Sequence, residues 1–210
     1  MQQISTAECK ELVAEALKDG ISYAEYRTLV NNHTNSFTST GHTQAEALSK
    51  YTELNDRRMK RGDKLFNLTP IQISAMQKLQ QPVNWLVITE SWCGDAAHTM
   101  PVMNKIAESN EAINLNVVLR DDHPQLMNAF LTQGSKSIPK LIAQDPVSEV
   151  VLYTWGPRPE PAAAMVVECK KSYGTLPPEF KEDLQQWYNK DKGQATAEEL
   201  IAQLQEINQI

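Results

Sequence analysis

The sequence predicts an α/β chain in which a mixed, four- to five-stranded central sheet is flanked by helices and further helices extend it at both ends. Three observations predict it. The first third carries repeated helix-start signatures, apolar runs separated by helical periods begin at residue 83, and helical periodicity returns after residue 159.

In chain order, Ser5-x-x-Glu8, Ser22-x-x-Glu25 and Thr43-x-x-Glu46 each match the capping-box pattern, in which a hydroxyl and a carboxylate satisfy unpaired N–H groups at a helix start. Three helix starts follow, with the polar, punctuated residues 33–41 as the loop between the second and third. A shorter fourth helix starts at Pro70, where Thr69 is a good cap and proline fits the first turn. Residues 83–89, 113–119, 138–143 and 150–153 read as strands, with helices over 94–109 and 122–131 between the first three. Long crossovers imply parallel pairing of the early strands, and the short link at 145–148 implies an antiparallel hairpin. Helices then follow over 161–171, 178–189 and 196–208, the last with Thr196-x-x-Glu199 as a further capping box and Leu200, Ile201, Leu204 and Ile207 on one stripe. The expected organisation is a helical extension over 1–81, a core over 82–160, and closing helices over 161–210.

Composition fits an ordinary globular chain. Of 210 residues, 41% are hydrophobic and 22% charged, and the net charge of −6 argues against a general nucleic-acid or anionic-membrane surface. No stretch approaches the roughly 20 apolar residues of a membrane span. The three cysteines, Cys9, Cys93 and Cys169, are odd in number and far apart, so they form no disulfide framework and suggest a reducing compartment. The first residues lack a basic start followed by an apolar run, and a cytoplasmic protein is expected.

Chemistry concentrates at Trp92-Cys93-Gly94-Asp95-Ala96, which follows the first strand and opens a helix. A cysteine there faces unpaired N–H groups and the positive end of the helix dipole, which favour thiolate. Asp95, two residues on, opposes it, so the balance depends on geometry. Ala96 stands where a dithiol motif has its second cysteine, and any mixed disulfide at Cys93 must be opened by another thiol. Against this, a free cysteine is often a buried small hydrophobe.

Trp92-Cys93-Gly94, Pro101 eight residues after the cysteine, and Ser137-Ile138-Pro139 together resemble a thioredoxin-fold active site. With Arg57-Arg58-Met59-Lys60-Arg61, Leu119-Arg120-Asp121, Lys140 and Trp155-Gly156-Pro157-Arg158-Pro159, most of the chain is similar to a bacterial "thioredoxin family protein" group that has a helical extension and Cys-Gly-Asp-Ala in place of the dithiol. The resemblance implies a thioredoxin-like fold, a cis proline at Pro139 beside the thiol, and main-chain groups of Ile138 that receive an extended peptide or a small thiol. The buried acid that dithiol thioredoxins hold in the strand before the cysteine is Val87 here.

The expected site is therefore Cys93 as the reactive thiol, with Trp92, Gly94, Asp95, Ile138, Pro139, Lys140 and Arg158 around a substrate. Lys140 either supplies positive charge or is solvated. Arg158, fixed between two prolines, either makes a bidentate contact with an anion or pairs with Asp95 or Asp121. His98 is either a proton-transfer group near Asp95 or a solvent-facing helix residue, the second being the commoner case. Arg120-Asp121-Asp122-His123 lies at a strand end and is a rim candidate. No metal-ligand spacing appears, and no cofactor is expected beyond glutathione or another small thiol as co-substrate. The basic stretch over 57–64 lacks interleaved aromatics and reads as a solvated or ion-paired face. Two functions fit: a monothiol thiol-disulfide oxidoreductase whose partners are protein or small-molecule thiols and disulfides, or a binding or adaptor protein that keeps the scaffold without catalysis. Cys169, and less so Cys9, are alternative resolving thiols. Oligomeric state and physiological substrate are not encoded in these patterns.

Overall fold

The computed structural model describes residues 5–208. Helix α1 (Thr6–Lys18) and helix α2 (Tyr23–Asn35) start at the capping boxes of Ser5 and Ser22, each closed in both directions. Helix α4 (Pro70–Met76) starts the same way, with Gln72 returning the bond to Thr69. The box at Thr43 does not form. Helix α3 (Glu46–Leu65) takes Ala45, still extended, as its N-cap, two residues later than Thr43, and no side chain caps it.

The sheet contains β1 (Val83–Thr89), β2 (Ile113–Leu119), β3 (Lys140–Gln144) and β4 (Val151–Trp155) in the order β2-β1-β3-β4. Strands β1 and β2 are parallel across helix α5 (Gly94–Glu108), and β3 and β4 form the antiparallel hairpin. The long link through helix α6 (Pro124–Ala129) does not make β3 parallel. It brings the chain back to the end of the sheet that β2 has just left, so Lys140 enters beside Ile88 and β3 runs antiparallel to β1. The ladder starts at Lys140 rather than Ile138, since Pro139 has no N–H to give it.

Central β1 is apolar on both faces, as a strand covered on both sides must be, and Trp85, Leu86, Val87 and Ile88 are completely buried. The two N-terminal helices do more than cover one face. Ile21, between α1 and α2, exchanges both main-chain hydrogen bonds with Val117 of β2, at 3.0 and 2.8 Å.

Helices α7 (Glu160–Tyr173), α8 (Pro178–Asp191) and α9 (Gln194–Ile207) close the chain. The capping box expected at Thr196 is absent. Helix α9 begins after Gly193, Thr196 is buried within it, and the carboxylate of Glu199 reaches out to accept from Trp155 Nε1 (2.7 Å) and from the Glu160 N–H (2.6 Å). One acid thereby joins α9 to the end of β4 and serves the open start of α7.

Candidate functional site

The turn from β1 into α5 is held from the N-terminal side. Thr40 N–H and Thr52 Oγ1 both meet Ser91 Oγ (3.0 and 2.8 Å), Asn55 Nδ2 donates to the Ser91 carbonyl (2.9 Å), and Ser91 N–H donates to Thr40 Oγ1 (2.8 Å). Beside them Glu90 is 0% exposed; its carboxylate accepts from the Thr40 hydroxyl and from the Asp121 N–H. Burial raises its pKa, partly offset by those two bonds. This polar lattice lies just behind Cys93. Its one sequence signal is a charged residue ending an apolar strand, and its partners in α3 have no local pattern pointing to them.

Cys93 is the N-cap of α5 and only 7% exposed. Its thiol donates to the Ile138 carbonyl at 3.2 Å, across the cis Ile138–Pro139 bond. The main-chain N–H groups of Asp95 and Ala96 favour its charged form without closing a cap hydrogen bond. Burial outweighs them, the Asp95 carboxylate adds to it, and the thiol is pushed up to about 12. The helix end therefore loses to desolvation, and the resting group at neutral pH is the thiol.

Asp95 is tied on two sides. Arg158 grips it with Nε (3.1 Å) and Nη2 (2.5 Å), and Tyr188 of α8 donates its hydroxyl to it at 2.8 Å. Of the two readings of Arg158, the geometry gives the ion pair. Tyr188 has no signal in the sequence, since it sits 93 residues from its partner.

His98 is not the solvent-facing residue that its helix position suggests. Its ring stacks on Tyr188 at 4.3 Å with Nε2 3.0 Å from Gln185 Oε1, and burial holds its pKa down to about 4, so it is neutral at pH 7. Lys140 is likewise not solvated. It is 6% exposed, its ammonium donates to Thr132 Oγ1 at 3.2 Å, burial lowers its pKa, and no hydrogen bond joins it to Cys93. Trp92 lies half-buried at the rim under the Arg120 guanidinium, 4.8 Å from the ring centre, and Arg120 in turn pairs with Asp121. Gly94 lies beside Arg58, and a Cβ there would meet Arg58 Nη1 at 3.5 Å, an ordinary contact.

The structure thus brings Cys93, Asp95, Ile138, Pro139 and Arg158 together, with Trp92 and Gly94 flanking them. Cys9 and Cys169 are free, and Cys169 is buried with its thiol 3.7 Å from the Thr175 carbonyl. Among the described residues no group of three His, Cys, Asp or Glu side chains is placed to hold a metal. No helix among them is long and apolar enough to cross a membrane.

A family model described as thioredoxin matches residues 41–174. No curated protein matches. Among solved structures, a protein of unknown function from Pseudomonas aeruginosa is 14% identical with a TM-score of 0.59, over 97% of this chain and 99% of its own. An HIV epitope scaffold is also 14% identical with a TM-score of 0.59, over 95% of this chain and 97% of its own. At that identity the two structures speak to the fold.

Proposed function

The chain belongs to the thioredoxin family, and from that premise we propose that it is a monothiol thiol-disulfide oxidoreductase acting through Cys93 of its Cys-Gly-Asp-Ala site. The observation that carries this reading is the contact of Cys93 Sγ with the Ile138 carbonyl beside Pro139, at the start of α5. That carbonyl is the acceptor an incoming extended peptide or small thiol would use for its own N–H. A docking partner competes for it and releases the thiol from its hydrogen bond, so that Cys93 gives its proton to solvent and the resulting thiolate is held by the Asp95 and Ala96 N–H groups. Activation is then coupled to docking.

In the first step the Cys93 thiolate attacks one sulfur of the partner's disulfide. A Cys93–partner S–S bond forms, the partner's own S–S bond breaks, and the leaving sulfur departs as a thiolate that takes up a proton. With Ala96 in the resolving position, the thiolate of a small thiol such as glutathione attacks the partner's sulfur in the mixed disulfide: a small thiol–partner S–S bond forms, the Cys93–partner bond breaks, and Cys93 leaves as a thiolate that takes up a proton. The rim formed by Trp92, Gly94 and the Asp95–Arg158 pair shapes the approach, and Lys140 supports the Thr132 loop behind Ile138.

The test treats the protein with oxidised glutathione and reads each cysteine by peptide mass spectrometry. A mixed disulfide on Cys93 that free thiol reverses is expected, formed faster than on Cys9 or Cys169. If Cys93 stays unmodified when Cys9 reacts, the oxidoreductase reading fails. A second reading, a binding or adaptor protein, is favoured by the 7% exposure of the thiol. It predicts that Cys93→Ser keeps every partner the wild type holds.

A further inference from the structure

A cleft of about 860 Å³ opens where α3, α5 and α8 meet, beside Cys93 but not lined by it. Its floor is apolar, built from the buried Phe66, Ala97, Pro101 and Val102, with the exposed Leu54 and Leu65 at its edge. Its wall carries the stacked His98–Tyr188 pair. Its lining also carries Arg57, Arg58 and Arg61 of α3 and Lys192 at the end of α8, and among the described residues no carboxylate lines it. Arg57 is engaged by Glu53, and Arg58 donates to Asn55, but among the described residues neither Arg61 nor Lys192 enters any ion pair. Four cations around an apolar hollow, in a chain whose net charge is −6, run against the overall charge of the molecule.

We infer that this cleft binds an organic anion of small-molecule size, with its aromatic or alkyl body on the Phe66–Pro101 floor and its carboxylate, sulfonate or phosphate against Arg58, Arg61 and Lys192. Small-molecule sites are concave, mostly apolar hollows of roughly 300–1,000 Å³ with a few polar groups that fix orientation, and the cleft meets each condition. The partial burial of Arg58 keeps one guanidinium close to the floor, where it meets the anion out of bulk water and is worth more than a fully exposed cation. A protein chain laid across a flat face would need no such depth. Tyr188 is shared between the two places, its ring on the cleft and its hydroxyl on Asp95, so the occupied cleft sits one hydrogen bond from the residue that helps to set the Cys93 thiol.

The probe is naphthalene-2-sulfonate, with its uncharged sulfonamide as control, titrated calorimetrically into the full-length protein. Saturable one-to-one binding is expected, weaker for the sulfonamide and for the Arg61→Gln/Lys192→Gln double variant by about tenfold or more, which corresponds to about 1.4 kcal/mol. Both substitutions are on exposed side chains, and an unchanged unfolding temperature of the variant verifies its fold. Equal binding of sulfonate and sulfonamide, equal binding to the double variant, or no saturation would each overturn the inference. So would binding of a decaglutamate peptide with none of the sulfonate, which would make the cleft a protein-docking face.

Discussion

Cys93 and Asp95 set the chemistry between them. A thiol at a helix start ordinarily gains acidity, yet here burial and a carboxylate two residues away push it up to about 12. Its thiolate fraction should therefore rise about tenfold per pH unit from 7 to 10, and the rate of alkylation at Cys93 should rise with it and show no plateau. A plateau below pH 9 would mean that the helix end wins after all. Asp95→Asn removes the opposing charge and leaves Arg158 unpaired beside the sulfur, and both changes favour thiolate. Alkylation of this variant at pH 8 is expected to be about tenfold faster than wild type, the effect of one pKa unit. At this scale the sequence was partly readable. Trp92, Cys93, Gly94, Ile138 and Pro139 lie in short local motifs, and the Arg158–Asp95 pair was one of two alternatives. Tyr188, Thr40, Thr52 and Asn55 are not readable, because each meets the site through tertiary packing from a distant helix or loop, and Glu90 is marked in the sequence only as a charge at the end of an apolar strand, with its partners far away in the chain.

At the scale of elements, local chemistry decided what the sequence could tell. Ser5, Ser22 and Thr69 begin helices, since a capping box is complete within four residues and needs nothing else. Thr43 and Thr196 carry the same pattern and fail, one because the chain is still extended at Ala45, the other because Glu199 is drawn to Trp155 and α7. The direction of β3 was not readable from the length of its connection, which does not say at which end of the sheet the chain re-enters. The turn after β4 depends on Gly156, whose φ of 109° lies in the region that favours glycine and where a Cβ would stand 2.3 Å from the Pro139 carbonyl oxygen. Gly156→Ala should lower stability by about 2 kcal/mol or more in denaturant unfolding. The same change should slow adduct formation at Cys93, because Pro139 must shift to make room. A variant as stable as wild type would show that the turn yields without cost.

At the scale of the whole molecule, the buried Glu90 makes stability depend on pH. Its pKa is raised in the native protein, so the native state keeps a proton that the unfolded chain has already lost above its ordinary value of 4.5. The stability this lends is full below that pH and is lost as pH rises through the native pKa. Glu90→Gln retains an acceptor for the Asp121 N–H and removes the titration. Relative to wild type it should gain stability as pH rises above 4.5 and level off once Glu90 has ionised in the native state, as read by urea unfolding across pH; a constant difference would remove Glu90 as the cause. Glu90→Ala, by contrast, leaves the Asp121 N–H without its acceptor and should be destabilised by about 1–3 kcal/mol near pH 4.5, a deficit that narrows as rising pH removes the Glu90 contribution from wild type.

The pairing of Ile21 with Val117 bears on the molecule's behaviour in a crowded solution. Strand β2 is the outer strand on its side of the sheet, and an outer strand with open N–H and C=O groups is a template on which a strand from another chain can add. By spending one residue of the α1–α2 link on that edge, the chain closes it at its midpoint and lays two helices beside it. The helices that precede the sheet are thus its guard against self-association, and trimming them to isolate the cysteine-bearing core would trade a smaller protein for one prone to stacking edge to edge.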